Sequence, residues 1–180
     1  MVDDPSCLTG AMARKVPRKL KARGAAGIGT ELMTIYLACT VRGDRNGVAA
    51  GRAICERLVA RGHSVLTTHL LADDVDQSEA QQSEEEVYRR DLDWLSQCDV
   101  LVAEASGSTY GVGFEVGYVL GRAGQTGQRV VLVYDASRRH AVSRLIVGNS
   151  DAQCTTFAYS SIGDLTSFID RHFAANVPGE

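Results

Sequence analysis

The sequence has no hydrophobic run that approaches the length of a membrane span, and its charges nearly balance. A helix needs about 20 consecutive apolar residues to cross a bilayer, so we expect a protein that does not enter the membrane. The formal net charge is -3 and the pI is near 5.8, and these values give no general attraction to nucleic acid or anionic lipid. We therefore expect no nucleic-acid partner and no membrane partner.

Cysteine and histidine are too scattered to build a disulfide framework or a metal site. The five cysteines are odd in number and form no CxxC pair, and the four histidines lack metal-ligand spacing. Reduced thiols in a cytoplasmic protein, with no metal, are the simplest interpretation. The residues are Cys7, Cys39, Cys55, Cys98 and Cys154, and His63, His69, His140 and His172.

A chain of 180 residues, of which 44% are hydrophobic, predicts one domain with a tail. Residues 1–32 are rich in Arg, Lys, Ala and Gly, and we expect a disordered basic extension there. Asp3 and Asp4, together with the lack of an apolar core, argue against a targeting peptide. The catalytic domain is expected over residues 33–176.

From Met33 onward, short apolar runs alternate with amphipathic stretches. This alternation predicts an α/β protein with a flavodoxin-like or Rossmann-like doubly wound sheet, five-stranded and parallel, in strand order 2-1-3-4-5. The predicted strands are 34–38, 64–67, 100–104, 129–134 and 155–159, and the predicted helices are 49–61, 84–97, 113–123, 141–147 and 162–174.

The stretch from Ser106 to Gly117 is the centre of the predicted site. It follows an apolar strand and runs into a helix, so backbone N–H groups of the loop and first helical turn can hold an anion. Glu115 lies inside this stretch, where a carboxylate would repel a bound phosphate, and it therefore indicates chemistry beside the phosphate. The alternative is a carboxylate that only complements the helix dipole in the first turn.

A second polar loop, residues 39–46, follows the first strand. In a doubly wound sheet, ligands bind beyond the carboxyl ends of the strands where the order reverses, here between strands one and three. Hydroxyls, backbone amides and a guanidinium suit a phosphate monoester, and ordinary solvated turns are the alternative. The two loops supply Thr40, Arg42, Gly43, Arg45, Ser106, Ser108 and Thr109.

The helix predicted at 84–97 supplies a second carboxylate. At about 100° per residue, Asp91 falls near the centre of the apolar arc of this helix. A buried charged Asp needs a partner or a function, and capping of a neighbouring loop is the structural alternative. Asp91 and Glu115 are a candidate pair for glycosyl chemistry, in which one carboxylate attacks the anomeric carbon and a carboxylic acid protonates the leaving group.

These segments, taken in order, resemble the 2'-deoxynucleoside 5'-monophosphate N-glycosidases of the nucleoside 2-deoxyribosyltransferase family. The resemblance covers nearly all of residues 34–174 and is most specific at Gly111-Val-Gly-Phe-Glu-Val-Gly117 and Asp91-Leu-Asp-Trp-Leu95. It implies hydrolysis of 2'-deoxynucleoside 5'-monophosphates, purine preferred, to free base and 2-deoxyribose 5-phosphate. The implied route is a covalent glycosyl-enzyme, and no metal or organic cofactor is required.

The resemblance also implies a role for each site residue. Glu115 would be the nucleophile, Asp91 would handle the proton at the departing base, and Tyr36 would orient Glu115. The residues implied in binding the phosphate and base are Thr40, Arg42, Gly43, His69, Thr109, Gly111 and Ser143. His69 would lie beside the base, and Ser143 would come from the neighbouring subunit of a homodimer.

Other functions stay open at the level of the sequence. A nucleoside 2-deoxyribosyltransferase would use the same intermediate, and a ribonucleotide, CMP-type N-glycosidase lies within the range of the family. A dinucleotide-binding or nucleotide-sensing module is a different class, because Gly111, Gly113 and Gly117 imitate a dinucleotide fingerprint. That fingerprint is weak, since its glycines are misplaced and Glu115 would face the diphosphate.

Overall fold

The computed structural model describes residues 32–40, 44–72, 74–75, 80–107 and 109–174, which build a parallel sheet with helices on both faces. The strands are β1 Thr34–Ala38, β2 Ser64–Val65, β3 Val100–Glu104, β4 Arg129–Asp135 and β5 Cys154–Tyr159. The α-helices whose bounds the structure describes are α1 Val48–Ala60, α2 Glu84–Gln97, α3 Tyr110–Thr126, α4 Arg144–Val147 and α5 Ile162–His172. All strand pairs are parallel, in the order β2-β1-β3-β4-β5. The predicted fold class and strand order are confirmed.

Some element bounds differ from the predicted ones. Helix α3 begins at Tyr110 rather than near Gly113, β2 has two residues rather than four, and α4 begins at Arg144. The predicted extension, apart from Leu32, lies outside the described residues, and so do Arg42, Gly43 and Ser108. None of the helices in the described ranges has the length and the apolar composition needed to cross a bilayer.

Local signals explain the bounds of the two helices that carry the candidate carboxylates. Ser83 and Glu86 form a capping box at the start of α2: Ser83 Oγ accepts from the N–H of Glu86 at 3.3 Å, and the Glu86 carboxylate accepts from the N–H of Ser83 at 2.8 Å. Gly127 ends α3 in the left-handed region, with φ of 73°. These signals fix where each helix lies along the sequence.

Side chains of the sheet alternate between two cores. Ile35 and Leu37 pack on the face covered by α1 and α5, whereas Tyr36 and Ala38 pack on the face covered by α2 and α3. The strands are nearly continuous apolar runs because both faces are covered, as is usual for a parallel sheet. Even-numbered positions of β1 therefore point toward the two helices that carry the candidate carboxylates.

Candidate active site

A hydrogen bond between β1 and α3 forms the centre of the site. Tyr36 is fully buried, and its hydroxyl donates to Oε1 of Glu115 at 2.7 Å. Burial, followed by the nearby carboxylates of Glu115 and Asp91, raises the pKa of Tyr36 far above its ordinary value. The phenol is therefore protonated at neutral pH and serves as a hydrogen-bond donor to the Glu115 carboxylate.

Glu115 lies in the second turn of α3. Because the helix begins at Tyr110, no acidic residue occupies its first turn. The alternative interpretation of Glu115 as a carboxylate that complements the dipole in the first turn is therefore wrong. The carboxylate is instead held from the sheet side by Tyr36.

Asp91 shares a small cavity with Glu115. The cavity has a volume of about 120 Å³, and its lining consists of Tyr88, Asp91, Leu92, Leu95, Gly111, Phe114 and Glu115. The side chain of Asp91 is 25% exposed, and its Oδ1 accepts from Nε of Arg90 at 2.9 Å. The predicted placement of Asp91 in a buried face is wrong, because this part of α2 borders a cavity. Its predicted need for a partner is met by Arg90.

A cationic and aromatic group lies on the other side of Asp91. The Arg90 guanidinium lies 5.0 Å from the centre of the Trp94 ring and donates to Oε1 of Gln82 at 3.0 Å. The His69 ring, on the 3₁₀ turn Thr68–Leu71, meets the same Trp94 ring edge-on with centroids 5.5 Å apart. A continuous set of contacts thus links His69 to Asp91, and sequence reasoning missed Arg90 within it.

The structure brings the two predicted phosphate loops into direct contact. The Thr40 hydroxyl, almost fully buried, donates to the carbonyl of Gly107 at 2.9 Å. A Cβ atom at Gly107 would lie 2.4 Å from the carbonyl oxygen of Asp44 and 2.5 Å from Thr40 Oγ1, so only glycine allows this approach. Thr109 occupies the N-cap position of α3, and Gly111 follows in its first turn.

Ser143 and Thr109 of one chain line the same larger cavity. Its volume is about 540 Å³, and Gly107 lies on its wall. The other lining residues are Ala105, Tyr110, Val112, Gly113, Val142, Leu145 and Ile146. Ser143 takes the N-cap position of α4. A polar edge formed by Ser143 and Thr109 therefore borders a largely apolar cavity.

Sequence reasoning also missed three charged groups around the loops. Arg138 pairs with the Asp44 carboxylate, and its Nε donates to the carbonyl of Ser106 at 3.2 Å. Glu104, which ends β3, is fully buried and accepts from the Tyr159 hydroxyl at 2.9 Å. A glutamate at the end of an otherwise apolar strand is a signal that could have found Glu104. Nothing in the sequence marked Arg138, whose ion-pair partner lies 94 residues away.

Two other kinds of site receive no support from the geometry. Gly111, Gly113 and Gly117 all lie within α3, whereas a dinucleotide fingerprint needs its first glycine in the turn before the helix. Among the residues with described positions, no group of three or more His, Cys, Asp or Glu side chains is arranged to hold a metal ion.

Comparisons with known proteins point to one family. The nucleoside 2-deoxyribosyltransferase family matches residues 35–162, a range that contains Tyr36, Asp91 and Glu115. A protein of Thermofilum pendens, provisionally named 2'-deoxynucleoside 5'-phosphate N-hydrolase 1, is 37% identical over 145 residues, which are 81% of this chain and 98% of that protein. The 5-hydroxymethyl-dUMP N-hydrolase of Homo sapiens is 30% identical over 151 residues, covering 81% of this chain and 82% of the relative.

A solved structure shows the same fold. The CMP N-glycosidase of Clostridium botulinum matches with a TM-score of 0.57, over 77% of this chain and 98% of that one. The two sequences are 16% identical, so this likeness concerns the fold alone.

Proposed function

This chain belongs to the nucleoside 2-deoxyribosyltransferase family, and from that premise we propose that it hydrolyses the N-glycosidic bond of 2'-deoxynucleoside 5'-monophosphates, purines preferred. The products are the free base and 2-deoxyribose 5-phosphate. The observation that carries the proposal is the 2.7 Å hydrogen bond from Tyr36 to Glu115, beside a cavity that Glu115 shares with Asp91. The names of the two curated relatives support hydrolysis of deoxynucleotides.

Glu115 is the proposed nucleophile. One of its oxygens attacks C1' and forms an ester, while the bond from C1' to the base nitrogen breaks and its electron pair leaves with the base. Tyr36 donates to Oε1 of Glu115 and so helps to orient the carboxylate for this attack. The positive charge that develops on the sugar is stabilised by this preorganised carboxylate.

Asp91 is the proposed acid and base. It gives a proton to the departing base and later takes a proton from the water that attacks C1' and cleaves the ester. Arg90 engages Oδ1 of Asp91, so we assign both proton transfers to Oδ2. Two displacements at C1' give overall retention of configuration.

We assign the 5'-phosphate to the junction of the loops that follow β1 and β3. The Thr40 hydroxyl contacts the carbonyl of Gly107 at this junction, and Thr109 is the N-cap residue of α3. The N–H of Gly111 belongs to the first turn of that helix, where unpaired helix donors attract an anion. Arg42 and Gly43 are included among the proposed phosphate-binding residues on the ground of the family resemblance alone. His69 is assigned to the side of the base, since its contacts lead through Trp94 to Asp91.

We also assign a homodimer in which Ser143 completes the phosphate site of the partner. Tyr110 is fully exposed, and Leu145, two residues after Ser143, is 86% exposed. Along α3, a Cβ atom added at Gly113, Gly117 or Gly121 would meet nothing within 4 Å. An apolar edge beside an unobstructed helix face is a surface on which a second copy can pack.

The cytoplasm is the compartment that we assign to this enzyme. The support comes from the cysteines in the described ranges, Cys39, Cys55, Cys98 and Cys154, which are all thiols. Free thiols persist in reducing compartments.

Base release tests the proposed reaction. Wild type and Glu115→Gln are incubated with dGMP, GMP, deoxyguanosine and 5-hydroxymethyl-dUMP, and the products are separated by chromatography. We expect release from dGMP, abolished in Glu115→Gln because the nucleophile is lost. Glu85→Gln is the matched control, since Glu85 is an exposed glutamate on α2 that pairs with Arg89 at 2.5 Å.

Each other outcome points to a different function. Release from deoxyguanosine only after an acceptor base is added would identify a transferase, and release from GMP in preference to dGMP would identify a ribonucleotide N-glycosidase. Faster release from 5-hydroxymethyl-dUMP than from dGMP would overturn the purine preference. With methanol present, the β-methyl glycoside of 2-deoxyribose 5-phosphate supports the covalent route, and the α anomer contradicts it.

Complementation between two impaired variants tests the shared site. Consider a heterodimer of one Glu115→Gln chain and one Ser143→Ala chain. If Ser143 acts across the interface, one of the two sites contains both substitutions and the other site contains neither. We therefore expect activity to return when the two variants are unfolded and refolded together. If Ser143 acts within its own chain, every site keeps one defect and mixing restores nothing.

A further inference from the structure

Glu104 has a buried carboxylate that the proposed reaction does not use. It ends β3 on the face of the sheet where Val100 and Val102 pack against α1 and α5. Tyr36 points to the opposite face, toward α2 and α3. The Glu104 side chain is fully buried and lies under the loops rather than among the groups assigned to the sugar and base.

The contacts of Glu104 reach three of the chain segments that surround the loops. Its Oε1 accepts from the Tyr159 hydroxyl at 2.9 Å and from the Ser106 hydroxyl, and the Ser106 N–H lies 3.3 Å from each carboxylate oxygen. On the other side the carboxylate packs on Gly47, where an added Cβ would lie 1.8 Å from Oε2. Gly47 directly precedes α1, and Ser106 directly precedes Gly107. Glu104 is thus placed between the segments that carry the two phosphate loops.

Ser106 connects Glu104 to other residues around the two loops. Its Oγ accepts from the N–H of Asp135 at 2.7 Å, so its hydroxyl proton is directed to Glu104. Its carbonyl accepts from Arg138, which also pairs with Asp44 in the loop after β1. The next residue, Gly107, receives the Thr40 hydrogen bond. A displacement of Ser106 would therefore move both loops.

A buried carboxylate is unfavourable unless hydrogen bonds compensate for the lost water. Burial raises the pKa of Glu104, and the hydrogen bonds from Ser106 and Tyr159 oppose that rise. An apolar residue would fill this core position without the desolvation cost. The donors converge on Glu104 from both the loop and β5, and they define its position as well as that of Ser106.

We propose that Glu104 is a positioning residue of the 5'-phosphate site, because its carboxylate holds Ser106 and Gly47 and so fixes the separation of the two loops. The inference rests on the proposed function, in which these loops bind the phosphate. Glu104 touches neither the sugar nor the base, so its loss should weaken binding of the phosphate while leaving the chemical step largely intact.

Two variants and one control test this inference. Glu104→Gln replaces one carboxylate oxygen by an amide N–H₂ group, which then faces either the donors of Ser106 and Tyr159 or Gly47. Tyr159→Phe removes one of these hydrogen-bond donors and keeps the Glu104 carboxylate. Gln128→Leu is the control: Gln128 is also buried, and its amide donates to the carbonyls of Leu95 at 2.7 Å and Cys98 at 2.9 Å, at the amino end of β4. All three variants lose buried hydrogen bonds, but only the first two lose them beneath the loops.

The measurements are KM and kcat for dGMP and the rise in melting temperature caused by inorganic phosphate. For Glu104→Gln we expect KM to rise about tenfold, kcat to change less than about threefold, and stabilisation by phosphate to disappear. Tyr159→Phe should raise KM about threefold. Gln128→Leu should lower the melting temperature without changing KM or the phosphate effect.

Wild-type KM and phosphate stabilisation in folded Glu104→Gln would overturn the inference. If that variant does not fold, Tyr159→Phe decides by the same criteria. The phosphate measurement needs no turnover, so it tests the positioning role of Glu104 independently of the proposed hydrolysis. Phosphate stabilisation that depends on Glu104 in a protein that does not cleave dGMP would support the positioning role and refute the proposed reaction. A wild-type protein that phosphate does not stabilise would overturn the positioning role.

Discussion

Replacement of Tyr36 by Phe removes a hydroxyl that holds the proposed nucleophile from the sheet side. The hydroxyl donates to the Glu115 carboxylate at 2.7 Å, and the Tyr36 side chain is fully buried. A hydrogen bond to a charged group contributes about 1.5–3 kcal/mol. Since about 1.4 kcal/mol is a tenfold change in rate, Tyr36→Phe should lower kcat/KM for dGMP roughly 10- to 150-fold.

The assay is initial-rate base release from dGMP, with the unfolding free energy measured in urea on the same samples. Tyr134→Phe is the control, because Tyr134 is buried on the same face of the sheet and its hydroxyl accepts from Arg139 at 2.8 Å. We expect the control to keep wild-type kinetics. A Tyr36→Phe enzyme within twofold of wild type would refute the idea that this phenol orients the nucleophile.

Three further perturbations follow from the geometry. Asp91→Asn removes the proposed proton donor and should lower kcat about 10²- to 10⁴-fold in the base-release assay; an unchanged kcat would exclude Asp91 as the acid. Gly107→Ala would place a Cβ 2.4 Å from the Asp44 carbonyl oxygen, and it should raise KM for dGMP and lower the free energy of unfolding by about 1–3 kcal/mol, as measured by urea titration. Burial, followed by the charge of Arg61, lowers the pKa of His63 from its ordinary value of 6.5. The unfolded chain then binds the proton more tightly than the folded chain, so the free energy of unfolding should decrease as the pH falls below about 6.5. This decrease, measured by urea titration at several pH values, should be less steep in His63→Gln, and an equal decrease in both proteins would contradict the assignment.

Helices and strands whose ends carry clear local sequence signals could be predicted to the residue. The bounds of β1, β3 and α2 agree with the sequence because each begins or ends at a clear signal, such as the capping box of Ser83 and Glu86. The start of α3 could not be predicted in the same way. Its first turn contains Gly111 and Gly113, which are poor helix formers, and the packing of Val112 and Val116 in the core outweighs their local preference.

The candidate site likewise has features that could be predicted from the sequence and features that could not. Asp91 and Glu115 could be singled out from residue type and spacing, and Tyr36 only from the family resemblance, but the environment of Asp91 could not be predicted. A helical wheel places Asp91 on the apolar side of α2, and it has no means to distinguish a core from a cavity opening between two helices. Glu104 and Tyr159 lie 55 residues apart, and a contact at that distance leaves no local pattern in the sequence.

The alternation of side chains on the sheet places the proposed catalytic groups and the proposed positioning residue on opposite faces. Tyr36 reaches Glu115 on one face, whereas Glu104 reaches Ser106 and Tyr159 on the other, so their hydrogen-bond partners differ. Substitutions with different partners should have additive free energies. The double variant Tyr36→Phe/Glu104→Gln should therefore lower kcat/KM by the product of the single effects, within about 0.5 kcal/mol. A smaller combined loss would mean that displacement of the loops also moves the nucleophile, and Glu104 would then act on the chemical step through α3.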